Sequence, residues 1–110
     1  MEFGFYSPVR LIFGRPVGTA LPAVLAKIGV ERILLLSDAG LAAIGLVDLI
    51  ARSLGSDGWQ VSTFAQVQSN PTVDDVEAAL ALARGARAQA LVALGGGSVI
   101  DVGKAVGLLV

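Results

Sequence analysis

The chain of 110 residues is 55 % apolar and 15 % charged, enough for one small packed domain and too short for a two-domain enzyme. Its 8 basic and 9 acidic residues are scattered and sum to a net charge of -1, which excludes the basic footprint that nucleic acid or an anionic membrane demands. With no Cys and no His there is no disulfide framework, no zinc-thiolate site and no imidazole for catalysis, and the reducing cytoplasm is the default compartment.

Met1 to Tyr6 lacks the basic start and long apolar core of a signal peptide, and the apolar runs are broken by Gly or charge before they span a bilayer. Val9 to Phe13 reads as a short strand, closed by the turn-rich Gly14-Arg15-Pro16-Val17-Gly18. Thr19 is placed to cap a helix that runs to about Ile28 and stops at Gly29. Arg32 to Ser37 holds four consecutive aliphatics, Ile33 to Leu36, apolar on both faces as a buried parallel strand must be. Asp38 follows at its carboxyl end. A helix is expected over roughly Leu46 to Leu54, then a loop over Gly55-Ser56-Asp57-Gly58 and a strand from Trp59 to Phe64.

Asn70-Pro71-Thr72 imposes an extended segment before a helix start, and Asp74, Asp75 and Glu77 crowd the first turn, where the helix dipole favours anions. That helix runs to about Arg84. Ala88 or Gln89 to Leu94 is the next buried strand, followed by Gly95-Gly96-Gly97-Ser98 and a last apolar helix from Val99. Alternation of this kind predicts a Rossmann-like α/β fold, a mostly parallel sheet with helices on both faces and ligands at the carboxyl ends of the strands. Trp59 is expected to pack beside its strand.

Three glycines between a buried strand and a helix let a ligand approach the backbone, and the helix start offers unpaired N–H groups and a positive dipole end. The turn is therefore read as a phosphate site, with a tight bend of no further role as the alternative. It is not a Walker A loop, because Ala105 stands where the magnesium-binding hydroxyl belongs, and it lacks the third spaced Gly of G-x-G-x-x-G.

Gly95-Gly96-Gly97-Ser98-Val99-Ile100-Asp101-Val102-Gly103-Lys104-Ala105 resembles the G-G-G-S-x-x-D-x-x-K-A signature of the iron-containing (group III) alcohol dehydrogenases. Ser37-Asp38-Ala39-Gly40-Leu41, Asn70-Pro71-Thr72 and Phe13-Gly14-Arg15 are similar to further segments of that family, in the same order. The resemblance covers nearly all of this chain but only the N-terminal, dinucleotide-binding part of a typical member. It implies that Gly95, Gly96, Gly97 and Ser98 hold the pyrophosphate and that Asp38 contacts the adenosine ribose; without the resemblance, Asp38 reads as a solvated loop acid. A carboxylate there accepts from ribose hydroxyls and repels a 2′-phosphate, so NAD is expected over NADP. Asn70 resembles a residue lining the cleft near the cofactor, or is a turn residue before Pro71. Asp101 and Lys104 either touch the cofactor or form a structural pair, Asp101 making a capping-box-like contact with the start of the last helix.

The resemblance further implies hydride transfer between a small alcohol or aldehyde and NAD, with a divalent metal, Fe or Zn, polarising the oxygen in the complete protein. The family holds that metal with Asp and His residues of a C-terminal helical domain. Residues 1–110 are accordingly expected to be a truncated cofactor half, with no catalytic or metal-binding residue and no activity alone. The apolar Ala105 to Val110 end is expected to seek a missing C-terminal half or to self-associate. A free-standing nucleotide-binding or interaction module is the alternative from another class. Glycerol dehydrogenase, maleylacetate reductase and the dehydroquinate synthase-like proteins remain alternatives within the same architecture.

Overall fold

The computed structural model describes the backbone of residues 10–14 and all of residues 21–110. The order of elements is β1 (Arg10–Gly14), α1 (Leu21–Ile28), β2 (Arg32–Asp38), α2 (Ala39–Ala43), α3 (Leu46–Ser56), β3 (Gln60–Val67), α4 (Val73–Gly85), β4 (Ala90–Leu94) and α5 (Gly97–Leu109). Val9, the expected turn over 15–18 and the expected cap at Thr19 lie outside the described residues. The four strands form one sheet in the order β1-β4-β2-β3, and every pairing is parallel. Among the described residues no helix is long and apolar enough to cross a membrane.

Parallel strands need crossover connections, and the crossovers put helices on both faces. Successive residues of β2 serve the two faces in turn. Ile33 and Leu35 join Leu21 and Leu25 of α1 and Val47, Ile50 and Leu54 of α3. Leu34 and Leu36 join Ala79 and Ala83 of α4 and Val99, Val102 and Val106 of α5. This two-sided demand is why the strand is aliphatic without alternation: Leu34, Leu35 and Leu36 are fully buried, each stabilising by about 1.5–3 kcal/mol relative to exposure.

The helix ends follow from local chemistry. Gly29 ends α1 with a left-handed φ of 73°, its N–H donating to the carbonyls of Leu25 at 3.1 Å and Ala26 at 3.3 Å. Thr72 caps α4 reciprocally: its N–H donates to Asp75 Oδ2 at 2.9 Å, while the Asp75 N–H donates to Thr72 Oγ1 at 3.4 Å. Gln89 stitches two chain segments through Oε1, which accepts from the N–H groups of Glu31 (2.8 Å) and Arg32 (3.1 Å). Trp59 is half-buried in the core, and its Nε1 donates to the Val30 carbonyl at 2.9 Å, in keeping with a packing role.

The main differences from the sequence expectations fall at three boundaries. Gly55 and Ser56 belong to α3, not to the loop behind it, because helical bonding continues until the Asp57 N–H closes on Ser53 and Leu54. β3 runs on to Val67, held by a neighbour in the sheet that the strand's own pattern does not reveal. The last helix begins at Gly97, not Val99: the Ile100 N–H already reaches the Gly96 carbonyl at 3.2 Å, so Gly97 and Ser98 form its first turn.

Candidate functional site

From β2 the chain crosses to β3 on one side and then returns to β4 on the other side of β2. The first crossover, α3, lies on one face of the sheet and the second, α4, on the other. The connections leaving β2 and β4 therefore diverge to opposite faces and open a crevice at the carboxyl ends of these two strands, the usual ligand position in open α/β sheets. A hollow of about 590 Å³ occupies that position. Its walls are Asp38 at the end of β2, Ala39 and Gly40 after it, Gln66 to Ser69 at the end of β3, and Gly96 to Val99 at the start of α5.

Asp38 is half-buried and oriented. Its Oδ1 accepts from the Leu41 N–H at 2.8 Å, making it the N-cap of α2, a short helix that the sequence reading did not include. That contact excludes a freely solvated loop acid. The other carboxylate oxygen, Oδ2, lies 3.1 Å from the position a Cβ would take on Gly95. The two turns bordering the crevice thus touch, although 57 residues separate Ser37 from Leu94.

The three glycines have different tasks. Gly95 has a φ of 141°, and a Cβ there would fall 2.8 Å from Val99 Cγ2, so close packing and backbone conformation both demand glycine. At Gly96 and Gly97 a Cβ would meet nothing within 4 Å, and both residues border the hollow. Gly96 is the N-cap of α5 and has no side chain to satisfy the helix start. The N–H groups of Gly97, Ser98 and Val99 consequently have no acceptor inside the helix and present the positive end of its dipole to the hollow. Ser98 also ties the walls together, its Oγ donating to the Ser69 carbonyl at 2.8 Å.

The remaining expected site residues lie further out. Asn70 is exposed and follows Ser69, the last wall residue of that segment. Asp101 is exposed and borders a different hollow, beside Pro71, Thr72 and Val73. The capping contact expected of Asp101 is not made: with Gly96 as N-cap the third helical position is Val99, and the N-cap position makes no side-chain cap bond. Lys104 is exposed one turn beyond Asp101. Gln66, Gln68 and Ser69 were not singled out in sequence; their polar side chains at the carboxyl end of a strand, just before Asn70-Pro71, were the available signal.

Among the described residues no group of three or more His, Cys, Asp or Glu side chains is placed to hold a metal ion. An anion is better served: open backbone N–H groups, a helix dipole and a neighbouring oriented carboxylate suit a ligand with phosphate beside hydroxyl groups.

Comparisons with known proteins bear on this geometry. A family model described as iron-containing alcohol dehydrogenase matches residues 8–110. The probable NADH-dependent butanol dehydrogenase 1 of Bacillus subtilis is 35 % identical over 105 residues, covering 96 % of this chain and 27 % of that protein. Among solved structures, NADH-dependent butanol dehydrogenase A from Thermotoga maritima matches with a TM-score of 0.75 and 29 % identity, covering 99 % of this chain and 28 % of that one. Sulfoacetaldehyde reductase from Bifidobacterium kashiwanohense, solved in complex with NAD+, matches with a TM-score of 0.72 and 27 % identity, covering 96 % and 28 %. The chain thus spans a little over a quarter of the length of these relatives.

Proposed function

The chain belongs to the iron-containing alcohol dehydrogenase family, and from that premise we propose that its hollow binds NAD for hydride transfer between a small alcohol and its aldehyde. The observation that carries the proposal is the pairing of an oriented carboxylate, Asp38, with the open first turn of α5 across one crevice. In this reading the N–H groups of Gly97 and Ser98 hold the pyrophosphate, and Gly96 leaves room for its approach. Asp38 accepts from the adenosine ribose hydroxyls, and its charge disfavours the 2′-phosphate of NADP. Asn70 lies beside the wall at Ser69, where it reaches toward the rest of the cofactor, while Asp101 and Lys104 support α5 from outside the hollow. Relatives named as NADH-dependent, and one solved with NAD+, support the choice of cofactor.

The cofactor supplies the hydride chemistry; these residues bind and orient it. A divalent metal as Lewis acid belongs to the same proposal for the complete protein. The described residues offer it no ligand cluster. Calorimetric titration with NAD and with NADP tests the reading. Saturable NAD binding, with NADP weaker by about tenfold or more, is the expected result. Equal affinity for both would remove the role given to Asp38, and no binding of either would remove the proposal.

A further inference from the structure

Backbone pairing between β2 and β4 ends at Leu36 and Ala93, one residue before the turns that border the hollow. At the same place the register of β2 against β3 shifts, between Leu36 and Asp38. Ser37 stands at this break. It has no exposed surface, and its hydroxyl donates to the Leu94 carbonyl at 2.8 Å. A side-chain hydrogen bond therefore takes over where the ladder stops. It joins the residue before Asp38 to the residue before Gly95.

The rest of the core around β2 is apolar, and a small apolar residue would also fit a buried strand position. What the hydroxyl adds is a directional link between the two turns. We propose that Ser37 is a positioning residue that fixes the span between the Asp38 carboxylate and the open N–H groups of α5. It thereby favours ligands that present ribose hydroxyls and phosphate together. The inference rests on the dinucleotide reading of the hollow. A ligand gripped at two points gains from the second contact only when the span between them is held; a loosened span returns that gain as ordering cost. A ligand gripped by the glycine turn alone is indifferent to the span.

The test compares Ser37→Val with Ser37→Thr, near-isosteric β-branched variants that differ in the hydroxyl. The intact chain is titrated with NAD and with inorganic pyrophosphate, and each variant is melted by circular dichroism to show that it is folded at the titration temperature. The expected result for Ser37→Val is an NAD affinity about tenfold weaker with pyrophosphate affinity within about twofold of the unaltered chain. Ser37→Thr should stay within about threefold for both ligands, because the donor is retained. Unchanged NAD affinity in Ser37→Val overturns the inference. So does an equal loss for both ligands, the mark of a merely structural role, and so does a Ser37→Thr variant as weak as Ser37→Val. If the unaltered chain binds NAD but not pyrophosphate, the inference falls while the dinucleotide reading stands; if it binds neither, both fall.

Discussion

Replacing Gly95 by Ala tests whether the glycine turn is built as described. The added Cβ would stand 2.8 Å from Val99 Cγ2, 3.3 Å from Val99 Cβ and 3.1 Å from Asp38 Oδ2. Carbon pairs settle near 3.5–4.0 Å, so the first contact is deep in repulsion. Val99 has little room to yield: it is 1 % exposed, and a β-branched side chain in a helix has one strongly preferred rotamer. Overpacking of this kind costs about 1–3 kcal/mol. A φ of 141° adds about 1–3 kcal/mol for a residue with a Cβ. The sum, about 2–6 kcal/mol, is a large part of the ~5–15 kcal/mol typical of a whole domain. At ~4–8 °C per kcal/mol for a domain of this size, Gly95→Ala should lower Tm by about 10 °C or more. Thermal denaturation followed by circular dichroism without nucleotide measures it. The control is Gly97→Ala, whose Cβ meets nothing within 4 Å and which lies in a helix, where Ala is favoured by up to about 1 kcal/mol. Gly97→Ala should melt at or above the wild-type temperature and lose NAD affinity, since Gly97 borders the hollow. A Gly95→Ala protein melting within about 2 °C of wild type would refute the packing argument.

Three further outcomes are expected. Asp38→Asn keeps an oxygen for the Leu41 N–H and should leave Tm nearly unchanged while raising the ratio of NADP to NAD affinity about tenfold or more; Asp38→Ala should additionally lose about 1 kcal/mol of stability with the cap. Parallel melts and titrations of the two variants separate cap from charge. Thr72→Ala breaks the reciprocal cap of α4 and should cost about 1 kcal/mol in urea denaturation with an unchanged m-value. Gln89→Ala removes the acceptor shared by the Glu31 and Arg32 N–H groups and should cost about 1–2 kcal/mol, read as earlier hydrogen exchange at those two amides.

Much of the fold was legible in the chain. The aliphatic run Ile33 to Leu36 announces a strand buried on both faces, and Gly29 and Thr72 mark helix ends through chemistry that acts within one turn. The glycine turn was legible as a tight strand-to-helix junction, yet the division of labour within it was not. Gly95 is demanded by Val99, a helical residue whose contact requires the turn to be folded, whereas a Cβ at Gly96 or Gly97 would meet nothing within 4 Å, and both border the hollow. The start of α5 was read two residues late because Gly97 and Ser98 are poor helix formers that a terminal turn accepts. That error placed Asp101 in a capping position it does not occupy.

Local sequence, through its periodicity and punctuation, determined the four strands and the helices other than α2 among the described residues, and that a glycine-rich turn joins β4 to α5. Tertiary structure alone decided the strand order β1-β4-β2-β3, and with it the meeting of Asp38 and Gly95. The carboxylate acquired its orientation from α2 and its neighbour from β4. The first lies within its own segment, three residues on; the second does not, because a crossover brings distant strands together only when both faces of the sheet can be covered at once.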